Sequence, residues 1–291
     1  MKKYVGVIGA TSFVGTSLLS KLVQANFSVI AFSRTKVAEI ANGIIWRQNP
    51  SSSSDVADIN NIIPFWICVA PISVLPEYFD LLETMGVRRL VVLSSTSRFS
   101  KIESSDVKEQ TLVKQLEDGE KKVQIWAESN KIEWIILRPT LIYGLGLDKN
   151  ITVIAGFIQR FGFFPLLGSA KGLRQPIHAD DVATTCLAAI NDRTIINQDY
   201  NISGGETLTY RVMVERIFNV LGKKPYFISV PLVFFKIVVA CIRVLPKYRK
   251  WSPAMAERMN QNLVFDHTSA SEDLGFKPKV FILKENDLPR K

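Results

Sequence analysis

Tyr4-Val-Gly-Val-Ile-Gly9-Ala-Thr-Ser-Phe-Val-Gly15 is the stretch whose reading decides the fold. An apolar run of strand length enters a glycine-bearing turn, and the apolar-periodic segment Val14 to Ala25 that follows reads as a helix. Such a turn forms a cradle for a dinucleotide pyrophosphate. Gly9 permits the tight reversal, the backbone N–H groups of Thr11, Ser12, Phe13 and Val14 face the anion, and Gly15 lets helix and strand pack closely. Ser12 stands where the pattern would carry a second glycine; its hydroxyl can meet phosphate, while its Cβ narrows the backbone approach. The plain alternative is a core strand followed by an ordinary Ser-capped helix.

Outward from this turn, Phe27 to Ser33 is a second apolar run, which gives the order β-α-β. It ends in Ser33-Arg34-Thr35-Lys36, with no Asp or Glu between Val14 and Arg34. An acid here would bond the ribose 2′-hydroxyl of NAD, whereas an arginine pairs with the 2′-phosphate of NADP. NADP(H) is therefore expected ahead of NAD(H), against the alternative that Arg34 and Lys36 are solvated loop charges. The alternation continues. Strands are predicted at Ile44 to Gln48, Phe65 to Ala70, Arg88 to Ser95 and Glu133 to Arg138, with helices at about Val74 to Thr84 and Asp106 to Ser129. Ala70-Pro71 is small enough to let a nucleotide pass over, and the fifth strand ends in the hydroxyls of Ser94 and Ser95. Strands separated by helices imply an α/β, doubly wound parallel sheet with ligands at the carboxyl ends of the strands.

The chain has 291 residues, 47% of them hydrophobic and 22% charged, enough to bury a full core and a smaller lobe. Cys68, Cys186 and Cys241 sit singly in apolar runs, a spacing that suits neither a disulfide framework nor a metal site. No run reaches the roughly 18 apolar residues of a membrane span.

Later motifs carry a resemblance. Leu137-Arg-Pro-Thr-Leu-Ile-Tyr-Gly144, Arg174-Gln-Pro-Ile-His-Ala-Asp-Asp-Val-Ala183, Tyr200-Asn-Ile-Ser-Gly-Gly205 and Asp273-Leu-Gly-Phe-Lys-Pro278, with the first turn, resemble the extended short-chain dehydrogenase/reductase family, in its NAD-dependent epimerase/dehydratase branch. The resemblance implies a Rossmann domain at 1–144 and a smaller mixed substrate lobe at 145–291, with some elements crossing over. It places Pro139 and Ile142 beside the nicotinamide, His178 at the substrate lobe, and Arg174 on a nucleotide-sugar diphosphate, against the alternative of an ion pair between the lobes. Oxidoreductase or isomerase chemistry on a nucleotide-sugar or lipid-linked sugar is what it implies, with no nucleic-acid partner.

One departure limits that expectation. The family's sugar enzymes usually carry Tyr-x-x-x-Lys on the helix after strand five, the ammonium lowering the tyrosine's pKa for proton transfer. None of the seven tyrosines here has Lys four residues on, and alignment through Glu117-Asp-Gly-Glu120 puts Leu112 and Leu116 at the two positions. Three readings stay open: a cofactor-holding protein without the usual chemistry, an enzyme whose base comes from elsewhere, or a module for another ligand. Ser94, Ser95, Thr96, Lys108, Tyr143 and His178 are the candidates for the second. His178 is as well suited to ordering its loop, and Asp181 reads as a helix-start residue.

Charge adds a location. From Arg216 to Ala256 there is no Asp or Glu, while Arg216, Lys223, Lys224, Lys236, Arg243, Lys247, Arg249 and Lys250 supply eight of the net +9 charges. Pro231 to Leu245 reads as a proline-opened helix, apolar but for Lys236 and Arg243, too short to cross a bilayer. Lying in the interface it would bring Tyr248, Lys250 and Trp251 to headgroups; as a core helix or homodimer contact it would not. A cytoplasmic protein with peripheral contact to the inner membrane face is the expectation.

Overall fold

The computed structural model describes residues 3–35, 37, 43–48, 62–104, 106–231 and 253–289. The expected helix beyond Pro231, with Lys236 to Trp251, and Lys36 and Cys241 lie outside them.

Among the described residues seven parallel strands make the central sheet: β1 (Lys3–Ile8), β2 (Phe27–Ser33), β3 (Ile44–Gln48), β4 (Phe65–Cys68), β5 (Arg89–Leu93), β6 (Glu133–Pro139) and, from far along the chain, β11 (Gln198–Ile202). Their spatial order is β3-β2-β1-β4-β5-β6-β11. Register is set by burial on both faces, since successive residues point to opposite sides. Val7, Val29, Ala31, Ile67, Val91 and Ile135 pack on one side against α1 (Phe13–Gln24), α6 (Ala179–Asn191) and α9 (Thr268–Leu274). Ile30, Phe32, Trp66, Cys68, Leu90, Val92 and Ile136 pack on the other, facing α2 (Phe79–Thr84) and α4 (Val107–Ser129). Strand and helix positions thus follow the alternation in the sequence. The expected helix at Val74 to Thr84 divides into a 3₁₀ segment, Ile72–Tyr78, and α2. Pro76 lies inside the former and has no N–H for a helical bond, which favours the tighter winding.

Elements beyond residue 144 return to this layer. α6 lies against α1, joined by Lys21 Nζ to Asp180 Oδ1 at 3.0 Å. Arg89, 2% exposed, donates to the carbonyls of Ala189 and Ile195 and to Glu133, tying β5 to the end of α6. The other core gathers α5 (Ile151–Phe161), α7 (Tyr210–Val220), β8 (Phe164–Leu167) and the segment around Phe281. β8 pairs in parallel with β13 (Phe227–Val230). Short pairs join β7 (Ile142–Tyr143) to β10 (Ile177–His178) and β9 (Leu173–Arg174) to β12 (Leu208–Thr209). α3 (Ser97–Ser100) follows β5, and α8 (Pro253–Asn260) precedes α9.

Candidate functional site

The strand order reverses between β1 and β4, and the first turn stands there. Gly9 has φ +82°, and a Cβ on it would lie 2.5 Å from the backbone nitrogen of Ala70. A Cβ on Gly15 would lie 2.4 Å from the Ala10 carbonyl oxygen. Both positions therefore need glycine: the first for its dihedral and the close passage of β4, the second for the strand-to-helix turn. Ser12 caps α1, its Oγ accepting from Gly15 N at 3.0 Å, so its hydroxyl already serves the helix. The N–H groups of Phe13 and Val14 precede the first intrahelical acceptor and point out of the positive end of α1. Thr11 is exposed beside them. Ser33 is buried at the end of β2, accepting from Thr35 N, and Arg34 is exposed next to it. Ala70 and Pro71 follow β4, and the carboxyl ends of β5 and β6 bring Ser94 and Pro139 to the same edge of the sheet, with Ile142 beyond. The residues expected to hold a cofactor thus share one edge, and the cradle a Cβ would fill fits a pyrophosphate.

Beneath that edge lies a charge cluster. Glu120 of α4 is 1% exposed, and its carboxylate accepts from Ser94 Oγ at 2.5 Å, from Arg138 Nε at 3.0 Å and Nη2 at 2.7 Å, and from Arg98. Arg138 also pairs with Asp199 on β11. Burial pulls the Arg138 pKa down, but its bonds to Glu120 and Asp199 outweigh this and raise it, so the guanidinium is held charged. Ser94 is engaged here as a donor to a carboxylate. Leu112 and Leu116 lie two turns and one turn before Glu120 on α4, both packed into the core on that side of the sheet.

The remaining candidates separate. Thr96 is buried and donates to the Pro139 carbonyl at 3.1 Å. Ser95 accepts from Ser97 N at 3.1 Å and is partly exposed. Tyr143, 2% exposed, donates to the Ile282 carbonyl at 3.3 Å and lies edge-on to His178 and Phe281. Burial and the Asp287 carboxylate push its pKa up, which makes it a poor phenolate base. His178 caps α6: Nδ1 accepts from Asp180 N at 3.0 Å, and Nε2 stands 3.2 Å from Asp287 Oδ1. Accepting at Nδ1 leaves the proton on Nε2, facing Asp287. Asp181, in the first turn of α6, accepts from Lys279 N at 3.0 Å. Arg174 is 4% exposed; its guanidinium donates to the carbonyls of Leu173, Gln261 and Arg258 and lies over the Tyr210 ring, and burial draws its pKa down to about 10. It is still cationic at neutral pH, but its donors are occupied by backbone, not free for a diphosphate.

A cavity of about 470 Å³ opens between the α3–α4 connection and residues 257–265. Phe99 and Phe265 wall it with ring centroids 6.2 Å apart, and Arg138 lies over the Phe99 ring. Glu109, one turn before Leu112, accepts from Ser104 Oγ at 2.7 Å and pairs with Lys101 at 3.5 Å and with Arg258. The cavity therefore borders the helix position where the family's tyrosine is expected. Lys108, the other candidate on this turn, is exposed. Sequence reading did not single out Phe99, Glu109, Arg258 or Phe265, because residues 150 positions apart meet there only in the fold.

Residues 77–203 match the model of the NAD dependent epimerase/dehydratase family. The chain is 22% identical to the UDP-glucose 4-epimerase of Vibrio cholerae over an alignment 316 positions long, covering 96% of this chain and 92% of that one. It is 23% identical over 201 residues to the uncharacterized protein y4nG of Sinorhizobium fredii, 67% of this chain, but it spans only half the length of that relative. The solved UDP-glucuronic acid 4-epimerase of Bacillus cereus, in complex with UDP-glucuronic acid and NAD, shares the fold with a TM-score of 0.73 at 16% identity, over 96% of this chain and 95% of that one. The family match covers the segment 77–203, and the likeness to the solved epimerase extends over the fold, a Rossmann-type parallel sheet built around the Gly9 turn.

Proposed function

We propose that the chain binds NADP(H) at the β1–β4 crevice and acts on, or holds, a nucleotide-sugar or lipid-linked sugar without the family's Tyr-x-x-x-Lys pair. The observation that carries the cofactor is the approach of Gly9 to Ala70 at the positive end of α1. In this reading residues 1–144 form the cofactor lobe and 145–291 the substrate lobe, with α6, β11 and α9 crossing back. Phe13 and Val14 N–H groups hold the pyrophosphate, with Thr11 and the Ser12 cap shaping the turn. Arg34, beside Ser33, takes the 2′-phosphate, and Ala70, Pro71, Ser94, Pro139 and Ile142 border the nicotinamide half.

A bound nicotinamide supplies or accepts a hydride. This chain's own part is to hold the ring dry and to place a proton-bearing group. Ser95 and His178 are the groups proposed for that part, ahead of Thr96 and Tyr143, whose hydroxyls are buried on carbonyls. The relatives' substrates favour a sugar in the cavity beside Phe99, and a small-molecule partner suits its size. The acid-free stretch 216–256 favours peripheral membrane contact.

A non-catalytic, cofactor-holding reading is favoured by one observation, the two leucines where a proton-transferring pair would stand. Titration of the purified protein with NADP(H) and NAD(H), followed by exchange of deuterium from labelled cofactor into UDP- and GDP-sugars, tests both. Tight NADP(H) binding with exchange supports the enzyme, and binding without exchange supports the holder. Failure to bind either dinucleotide overturns both.

A further inference from the structure

The outer face of α5 has a composition unlike that of a solvated helix. Its core face carries Ile151, Ile154, Ala155 and Ile158, all buried. Its opposite face carries Val153, Phe157, Arg160 and Phe161, spaced i, i+4, i+7 and i+8 and so aligned along one side. Val153 is 65% and Phe161 51% exposed. The apolar surface continues sideways, because Phe157 meets Phe161 and Phe163, and Phe163 meets Tyr226, with centroids 4.6 to 6.5 Å apart. Tyr226 leads into β13, where Ile228 is 40% exposed.

The charges around this surface have one sign. Lys149 to Ala179 contains no Asp or Glu, just as Arg216 to Ala256 contains none, and the β8–β13 pairing sets these two acid-free segments side by side. Arg160 and Lys223 border a groove of about 490 Å³ between α5 and the end of α7, and Lys224 stands exposed next to it. The bordering carboxylates are already engaged: Asp148 accepts from Asn150 N and Ile151 N at the start of α5, Glu206 pairs with Arg216, and Glu215 pairs with Arg211.

We propose that the α5–β13 face, with Val153, Phe161, Tyr226 and Ile228 as its apolar contacts and Arg160, Lys223 and Lys224 as its cations, docks on an anionic phospholipid surface. Aromatic and aliphatic side chains ringed by cations suit the headgroup boundary, where rings enter the acyl edge and cations meet phosphates. The inference rests on the peripheral-contact reading of 216–256 and extends it to residues 149–171, which come to that side only through the fold.

Flotation with vesicles of phosphatidylglycerol and phosphatidylcholine in equal parts, at low and high salt, tests it. Three full-length forms are compared: the natural chain, R160E/K223E/K224E, and K247E/R249E/K250E. Loss of at least about tenfold in vesicle affinity in the first variant, with dinucleotide binding kept, is the expected result. A Val153→Trp probe should shift its fluorescence to the blue on vesicles and hold its position with phosphatidylcholine alone. Loss confined to the second variant, with no shift at Trp probe 153, overturns the α5–β13 face and leaves the 216–256 reading standing. No flotation of the natural chain at low salt overturns both. A dimer that Phe161→Ser dissociates, with no flotation, assigns the face to a second copy and overturns the proposal.

Discussion

Two stretches of the same sheet edge are built on different principles. At β1 and β4 the structure presents backbone: Gly9, Ala10 and Ala70 and the first turn of α1, with Arg34 exposed after the end of β2. At β5 and β6 it presents side chains in a closed network, Ser94 and Arg138 on Glu120, with the two leucines of α4 above it. Backbone recognition survives wherever the glycines and the turn survive, because N–H groups do not depend on residue type. Proton transfer depends on particular side chains and disappears when they are exchanged for apolar ones. Under the proposed function, cofactor geometry and acid–base chemistry are separable within one sheet: the glycine turn is present, and no tyrosine of the sequence has Lys four residues on.

The largest expected effect tests that separation directly. General acid–base assistance typically contributes about 10²–10⁴-fold, so turnover of UDP- and GDP-sugars should lie that far below the rate of the Vibrio cholerae epimerase assayed alongside. Comparable rates would show that a proton-transferring group operates here which the two leucines do not replace. Next is the network itself. Glu120→Leu removes the buried carboxylate from the Arg138 guanidinium and leaves it the half-exposed Asp199 alone, and unfolding in urea should show a loss of about 3 kcal/mol. A loss below about 1 kcal/mol would mean that the cluster is well solvated, contrary to the 1% exposure of Glu120.

A smaller effect sharpens the backbone side. Arg34→Ala should reduce the preference for NADP over NAD by about ten- to a hundredfold, the worth of a lost charge-assisted phosphate contact of about 1.5–3 kcal/mol. Fluorescence titration with both reduced dinucleotides measures it, and an unchanged ratio would remove Arg34 from phosphate recognition. The smallest effect concerns the loop that closes under His178. Burial pushes the Asp287 carboxyl up, but His178 and the N–H groups of Lys284 and Leu145 outweigh it and hold its pKa below the ordinary aspartate value. A carboxyl depressed in the folded state stabilises above the unfolded pKa, and that stability is lost as pH falls through the folded value. Asp287→Asn should therefore cost about 1–2 kcal/mol at neutral pH and flatten the acid limb of a stability-against-pH curve. An acid limb as steep as that of the natural chain would assign the dependence to other carboxyls.

Much of the fold was legible because its determinants are local. β2, β3 and the cap of α4 at Asp106 stand where the apolar runs and polar boundaries put them, and the Gly9 turn is specified by adjacent residues. Pro76 is the local exception, turning an expected α-helix into a 3₁₀ segment followed by α2. The site was less legible. Arg174 reads in sequence as an anion-binding guanidinium, yet it is consumed by carbonyls of residues 258 and 261, more than 80 positions away. Tyr143 reads as a hydroxyl near the chemistry, yet it is buried on the Ile282 carbonyl, and burial and the Asp287 charge push its pKa up.

The sequence by itself determined the strand and helix pattern, the parallel sheet, the glycine turn, the basic end of β2 and the absence of a Tyr-x-x-x-Lys pair, because periodicity and residue identity are properties of neighbours along the chain. Only the tertiary structure decided which polar groups were free. Hydrogen-bond donors of Arg174, Thr96 and Tyr143 are satisfied by carbonyls brought from elsewhere in the chain, and the two acid-free segments lie side by side because β8 and β13 pair. A buried polar group must find a partner, and which partner it finds is settled by packing between residues that the sequence keeps far apart.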